Sequence, residues 1–128
     1  MVVRTFEDLE VFQRAYRLSL EVHKASLGFP AVEQYAPGDQ VRRASKSIRA
    51  NIAGGFGKQR LSRSELRRYL AMALGSADEM RVWSRYCLDL GYVEEATWRQ
   101  WRDGYQEVAR MLNGLIERLE RGGVASDP

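Results

Sequence analysis

Two helical patterns follow one another in residues 39–80, which read DQVRRASKSIRANIAGGFGKQRLSRSELRRYLAMALGSADEM. In the first part, apolar side chains recur at the three- and four-residue spacing of one helix face: Val41, Ala44, Ile48 and Ile52. The second part and its continuation keep that spacing at Leu66, Tyr69, Leu70, Ala73, Ala77, Met80, Cys87 and Leu90. Gly54, Gly55 and Gly57 lie between the two patterns, and the backbone entropy that glycine costs a helix predicts a turn there. The stretch therefore predicts a helical hairpin.

The same periodicity continues on both sides of this hairpin. We predict helices at about Glu7–Leu27, Asp39–Gly54, Ser62–Leu90 and Glu95–Arg121. Two helix starts have the three-residue spacing of a capping box: Thr5 with Asp8, and Ser62 with Glu65. Four amphipathic helices with mostly short connections predict an all-α fold, an antiparallel up-and-down four-helix bundle over residues 1–121. Residues 122–128 are expected to form a disordered tail.

Two features of the helices indicate close contacts with other helices. The first helix carries two adjacent apolar rows, which together are wider than one neighbouring helix would cover: Leu9, Phe12, Tyr16, Leu20, His23 and Leu27, and Val11, Ala15, Leu18 and Val22. In the third helix, Gly75 costs about 1 kcal/mol relative to alanine. That cost predicts a close approach of two helices at Gly75.

Composition excludes several classes of protein. The 128 residues are enough for one domain with its own core. Cys87 is the only cysteine, so no internal disulfide can form, and a lone thiol suits a reducing compartment. The many charged side chains in the first 25 residues exclude a signal peptide, and no apolar run approaches the length of a membrane span. We expect a soluble, cytoplasmic protein.

Positive charge is concentrated in one segment. From Arg42 to Arg68 there are nine basic residues and one acid, so this segment carries +8 and the remainder −5 of the net +3. In an antiparallel hairpin, the end of helix two lies beside the start of helix three. Because lysine and arginine bind phosphate, the candidate nucleic-acid-binding residues are Arg42, Lys46, Arg49, Lys58, Arg60, Arg63 and Arg67. The alternative interpretation is an ordinary solvated face.

Catalytic and metal sites find little support in the sequence. Gly54–Lys58 resembles a phosphate-binding loop, but the first required glycine is an isoleucine, and Gln59 stands where Ser or Thr is required. His23, the only histidine, has apolar helical neighbours, which favours a packed histidine. Zinc sites need several His or Cys ligands. A magnesium site made of carboxylates alone stays open, although pairs such as Asp78-Glu79 point to different sides of a helix. We expect no enzyme activity, no cofactor and no metal.

Three stretches resemble one known family, in the same order. They are Phe6–Phe12, then Asp39–Ala44 with Ser47-Ile48 and Asn51–Ala53, then Ala73–Glu79 followed by Leu90–Tyr92. Together they resemble the four-helix bundle proteins encoded in intervening sequences of large-subunit ribosomal RNA genes, over about residues 6–119. Each piece alone is weak, whereas the combination in this order is specific.

The resemblance implies an antiparallel four-helix bundle that assembles into a ring-like homopentamer, which would make the wide apolar arc of helix one a subunit contact. Related bundles are accessory proteins of the reverse transcriptase of diversity-generating retroelements, where they bind nucleic acid and the enzyme. Most members have no established biochemical role. This chain departs from the family at three places: Gly54 replaces the usual Glu, Arg49 replaces a common proline, and the loop Lys58–Ser64 is about two residues longer.

Two functions from different classes follow. The first is a non-enzymatic oligomeric bundle that binds nucleic acid, structured RNA or DNA, through the basic surface of helices two and three, with no membrane and no small-molecule substrate. The second is a protein-interaction scaffold, or an accessory subunit of another enzyme such as a reverse transcriptase, without direct nucleic-acid contact. In the second, apolar surfaces of helices one and four, such as Trp98 and Trp101, would contact the partner.

Overall fold

The computed structural model describes residues 5–31, 37–58 and 62–121. In these ranges a 3₁₀ turn at Phe6–Asp8 precedes four α-helices: α1 (Glu10–Ser26), α2 (Pro37–Lys58), α3 (Arg63–Asp89) and α4 (Glu95–Glu120). The described residues contain no strand, which confirms the predicted all-α four-helix bundle. None of their helices is both long and apolar enough to span a bilayer. The tail predicted at 122–128 lies outside the described residues.

Consecutive helices run antiparallel, as their connecting contacts show. Arg42 near the start of α2 donates a 3.0 Å hydrogen bond to Ser26 at the end of α1. Arg67 near the start of α3 forms a 2.8 Å ion pair with Glu120 at the end of α4. α1 packs against both α2 and α4, which closes the bundle and leaves α1 and α3 on its diagonal.

The helix starts use the predicted capping residues. Thr5 and Asp8 form a capping box, although it opens the 3₁₀ turn and α1 begins two residues later. Ser62 accepts a hydrogen bond from the backbone N–H of Glu65 and caps α3. Gly91, at a φ of 79°, follows α3 with the left-handed backbone that glycine adopts without strain. These contacts satisfy backbone groups that a helix end otherwise leaves without partners.

The apolar stripes of the four helices converge on one core. The buried residues of α4 are Trp101, Tyr105, Val108, Ala109, Leu112, Leu115, Ile116 and Leu119. Trp101 is only 2% exposed, so the prediction that it offers a partner surface is wrong. Trp98 lies one turn earlier and is half-buried, with the guanidinium groups of Arg85 and Arg102 over its ring at 5.1 and 4.8 Å. Full burial of one large apolar side chain stabilises a fold by about 1.5–3 kcal/mol.

α2 continues through the glycines at which the sequence predicted its end. A Cβ on Gly55 would lie 2.9 Å from Tyr69 Cβ and 3.0 Å from Leu66 Cδ1, and a Cβ on Gly54 would meet the Tyr69 ring at 3.0 Å. The prediction that α2 ends at Gly54 is therefore wrong. Close packing against α3 offsets the poor helix propensity of glycine, and the helix extends to Lys58. The segment is thus no phosphate-binding loop.

The close approach predicted at Gly75 does not occur with any described residue. Gly75 is exposed, and a Cβ there would have nothing within 4 Å among the described residues. The neighbouring Ser76 does face α2, where its hydroxyl donates a 3.0 Å hydrogen bond to Ser47 Oγ. Gly75 lies on the outer side of α3. The glycines at which two helices come close are Gly54 and Gly55 on α2 and Gly104 on α4, where a Cβ would lie 2.7 Å from Leu18 Cδ2 on α1.

Two titratable side chains are fully buried in the core of the described residues. Cys87 is fully buried on α3, and burial raises the pKa of its thiol from 9.0 to about 11 because the thiolate would lose its hydration. Tyr105 is fully buried on α4, and its hydroxyl has no hydrogen-bond partner among the described residues. Desolvation also raises the pKa of Tyr105. Both groups stay protonated at neutral pH and act as part of the core.

Alanine substitutions at Gly55 and Gly114 should change stability in opposite directions. Gly114 lies inside α4, and a methyl added there has nothing within 4 Å among the described residues, so better helix propensity should raise the free energy of unfolding by about 0.5–1 kcal/mol. At Gly55 the methyl overlaps α3, and overpacking costs about 1–3 kcal/mol, more than the helix propensity returns. Urea denaturation followed by circular dichroism, at one protein concentration, measures both. Equal stabilisation by the two variants would contradict the close packing.

The buried thiol should make stability depend on pH in the alkaline range. The unfolded thiol ionises near pH 9 and the folded one only near 11, so the unfolded state loses its proton first as pH rises. Stability from this group is complete below pH 9 and is lost between pH 9 and 11. Urea titrations of the wild type and Cys87→Ala across that range isolate it, because the variant lacks only this titration. Parallel pH profiles would show that the thiol is not shielded.

Candidate nucleic-acid interface

Three basic residues of α2 share one side of that helix, as their spacing predicted, and in the structure this side contacts α1. Arg42 is half-buried and reaches Ser26 on α1. Lys46 is exposed, and its Nζ lies 3.0 Å from Nδ1 of His23. Arg49, one turn further on, lies against the aromatic rings of α1. The row therefore runs along the α1–α2 contact rather than over the centre of α2.

Arg49 is held by aromatic rings. Its guanidinium carbon lies 4.0 Å from the centroid of the Tyr16 ring and 4.9 Å from that of Phe12. The negative π-faces attract the cation by about 0.5–2 kcal/mol per pair, more where water is excluded. Its Nε is buried and has no hydrogen-bond partner among the described residues. Stacking fixes the position of this charge, and no acid in the described part of the chain forms a salt bridge with it.

A groove of about 560 Å³ lies between α1 and α2 beside this row. It is lined by Phe6, Phe12, Tyr16, Ser19, Leu20, His23, Lys46, Arg49, Ala50 and Ala53. Phe6 is placed at one end by the capped 3₁₀ turn and packs edge-on against Phe12, with ring centroids 5.0 Å apart. The groove thus combines an apolar, aromatic wall with the basic side chains of α2.

Among the remaining predicted site residues, Arg67 lies away from this row. Arg67 lies on the side of α3 that faces α4, and both its Nε and its Nη2 contact Glu120 Oε2, at 2.9 and 2.8 Å. Arg63 is exposed at the first turn of α3. Lys58 is the last residue of α2, and its side chain, like the whole of Arg60, lies outside the described residues. The predicted cluster at the hairpin tip therefore stays a prediction.

Two further basic residues of the segment are paired with acids on their own helices. Arg43 lies 3.7 Å from Asp39, and Arg68 donates two hydrogen bonds to Glu65 Oε2, the shorter at 3.0 Å. The hydrogen bond to Glu65 raises the pKa of Arg68 above its ordinary value. Both pairs are exposed, and exposed ion pairs contribute little to stability. By contrast, neither Lys46 nor Arg49 forms a salt bridge with any described acid.

The candidate catalytic and metal-binding groups are dispersed. His23 is half-buried on the groove wall, where it contacts Lys46, so it is packed against a cation as well as against apolar residues. Glu79 accepts a hydrogen bond from the indole N–H of Trp83 on its own helix. Among residues 5–31, 37–58 and 62–121, no three His, Cys, Asp or Glu side chains come together as metal ligands would. The carboxylates act as partners in surface contacts.

The aromatic wall of the groove does not follow from the sequence patterns described above. Their spacing predicts that Phe12 and Tyr16 belong to an apolar row of helix one, but it does not predict that they contact Arg49. The signal was the apolar arc of helix one, which is wider than its neighbours cover: Tyr16, Leu20 and Leu27 remain 40%, 41% and 63% exposed. Combined with the basic face of α2, that excess predicts a mixed aromatic and cationic surface.

Comparison with known proteins bears on the same segments. The model of the family described as 23S rRNA-intervening sequence protein matches residues 7–114. A solved structure from Bacteroides thetaiotaomicron, a protein of unknown function from the S23 ribosomal protein family, superimposes with a TM-score of 0.75 at 19% identity. The superposition covers 84% of this chain and 95% of that one, so the two share a fold. No curated protein matches the chain.

Proposed function

The chain belongs to the 23S rRNA-intervening sequence protein family, and from that premise we propose that it is a non-enzymatic bundle that binds nucleic acid along its α1–α2 face. One observation carries the proposal. Lys46 and Arg49 lie beside an aromatic groove and form no salt bridge with a described acid, and Arg42 precedes them in the same row. A row of positive charge next to an exposed aromatic ring, here Tyr16, is what phosphates and bases recognise.

The proposed binding surface differs from the basic surface of helices two and three that was predicted from the distribution of charge along the sequence. It excludes Arg67, which faces α4, and its main contacts are Lys46 and Arg49, with Arg42 at the end where α1 and α2 are joined. Phosphate contacts of this kind are independent of sequence and weaken as salt rises, because binding releases counterions. We place the protein in the cytoplasm, where nucleic acid is accessible.

A non-catalytic role fits the state of the reactive side chains. Cys87 is buried with a raised pKa, so its thiol is both inaccessible and protonated at neutral pH. His23 contacts Lys46, and no described carboxylate or side-chain hydroxyl pairs with its ring as a catalytic partner would. The proposal accordingly assigns the groove to binding.

Removing the two groove charges should weaken RNA binding and its salt dependence. For the double variant Lys46→Gln/Arg49→Gln we expect about a tenfold loss of affinity at low salt. The slope of log affinity against log salt should fall by about 1.5, the contribution of two phosphate contacts. Fluorescence anisotropy with a labelled RNA oligonucleotide over a salt series measures both quantities.

The matched control is Arg99→Gln/Arg118→Gln, which removes the same charge from exposed positions on α4. Arg67→Gln tests the alternative hairpin surface. Neither control should change affinity by more than about twofold. An equal loss in the α4 variant would mean that net charge alone governs binding, and a loss confined to Arg67→Gln would move the site to α3.

A second observation favours self-association, which we propose as the oligomeric part of the function. The outer side of α3 carries Met72, Val82, Tyr86 and Leu90, which are 43%, 55%, 53% and 50% exposed. Gly75 lies between the first two, with open space around it, so the backbone of another helix can come close. The ion pairs Asp78–Arg81 and Arg85–Asp89 flank this stripe as a polar rim.

A lysine in the α3 stripe should separate the subunits. We expect the wild type to elute as an oligomer, with the pentamer that the family resemblance implies as the leading number. Val82→Lys should give a monomer with unchanged helicity, because a charge buried at an interface costs several kcal/mol. Size-exclusion chromatography with light scattering measures the mass.

Gln106→Lys introduces the same side chain at an exposed position of α4 and is the control. It should keep the wild-type mass. A monomeric wild type, or a Val82→Lys variant that remains fully assembled, would refute self-association through α3.

A further inference from the structure

We infer that the α1–α2 groove takes an unpaired nucleotide, with the base against the aromatic wall and the phosphate on Lys46 and Arg49. The inference rests on the proposed function and names its substrate class: single-stranded segments in preference to duplex. It follows from the shape of the groove and from the order of apolar and charged groups around it.

The groove has the size and chemistry of a base pocket. Its volume of about 560 Å³ exceeds what one nucleotide occupies, and its wall is formed largely by Phe6, Phe12, Tyr16 and Leu20. A nucleobase presents two flat, weakly polar faces that stack well on such rings. In a duplex those faces are covered by neighbouring base pairs. Only an unpaired base can offer a face to this wall.

Tyr16 is the residue on which stacking depends. Its side chain is 40% exposed, although Arg49 already lies 4.0 Å from the ring centroid. The ring and the guanidinium group therefore form a prearranged pair at the groove, and the part of the ring that remains exposed is available to stack on a base. Guanidinium groups stack on bases much as aromatic rings do. Because this pair exists without ligand, little side-chain freedom is lost on binding.

The charges lie where the phosphate of a stacked nucleotide would be. Lys46 and Arg49 are three residues apart on α2 and both line the groove. The Lys46 ammonium is oriented by the 3.0 Å contact with His23. Its other protons remain available, since an ammonium has three donors. One end of the groove thus recognises an anion while the wall recognises an apolar ring.

This order of groups favours a nucleotide over a peptide. An apolar helix would fill the wall but would strip water from Lys46 and Arg49 without neutralising them, which opposes binding. An acidic peptide would neutralise the charges but has no flat face for the Tyr16–Arg49 pair. A nucleotide supplies both groups in one unit.

The experiment compares single strand, duplex and phosphate alone. Fluorescence anisotropy measures binding of a labelled RNA of about 12 nucleotides, alone or annealed to its complement, and inorganic polyphosphate serves as a competitor without bases. The variants are Tyr16→Leu, which removes the ring, and Tyr16→Phe, which keeps it. Trp98→Leu removes a half-buried ring on α4 that also has guanidinium groups over it but does not line the groove, and it is the matched control.

We expect wild type, Tyr16→Phe and Trp98→Leu to bind single strand about tenfold more tightly than duplex, the contribution of one stacked base. Tyr16→Leu should lose that preference through weaker single-strand binding, while polyphosphate competes equally well at the residual site. Circular dichroism verifies that each variant is folded.

Failure of the inference is distinct from failure of the proposed function. Equal affinity of the wild type for single strand and duplex, or unchanged single-strand affinity in Tyr16→Leu, overturns the inference and leaves nucleic-acid binding intact. Absence of salt-dependent binding to either form overturns both. Binding of an acidic, leucine-rich peptide in place of RNA, sensitive to Tyr16→Leu, would assign the groove to a protein partner and also overturns both.

Discussion

The close packing of α2 on α3 is the constraint on which the other features depend. With no side chain at Gly54 and Gly55, the end of α2 can lie directly against Leu66 and Tyr69. The hydroxyl contact between Ser76 and Ser47 continues the same interface about two turns away. These contacts set the rotation of α2 about its axis. Since side chains have fixed angular positions on a helix, the basic row of α2 must then lie along α1.

The bundle could be predicted from the sequence because its apolar stripes repeat over many turns, and the capping residues mark two starts. The extent of α2 could not. Three glycines in four residues are read locally as a turn, and only the position of Tyr69 shows why the helix tolerates them. The prediction at Gly75 failed in the opposite way. A glycine inside a helix predicted a close approach of two helices, but no described residue lies within 4 Å of a Cβ placed there.

Only part of the candidate site could be predicted, because helical spacing is local whereas contacts between helices are not. The shared face of Arg42, Lys46 and Arg49 follows from spacing alone. Whether each charge is neutralised depends on tertiary neighbours, and these differ: Arg67 meets Glu120 from a distant part of the chain, whereas Arg49 meets aromatic rings. A single sequence does not show which side chains pair across helices. The count of charges therefore identifies the basic segment, but it does not separate the residues paired with acids, such as Arg67, from those that are not, such as Arg49.

The two proposed surfaces occupy different parts of the bundle and are compatible. α1 and α3 lie on a diagonal, so copies joined through the outer side of α3 would leave each α1–α2 groove open. An assembly that displays several grooves would bind one long strand at several points, and the linked contacts would raise the affinity well above that of a single groove. Weak individual sites would then suffice.

The most direct test of RNA binding in the α1–α2 groove is to locate the bound RNA on the protein. Backbone amide chemical shifts followed by NMR during titration with single-stranded RNA report that location residue by residue. We expect the largest chemical-shift changes at Tyr16, Leu20, Lys46 and Arg49, which line both walls of the groove. Changes concentrated at Arg67 and the facing end of α4, with the groove undisturbed, would contradict it.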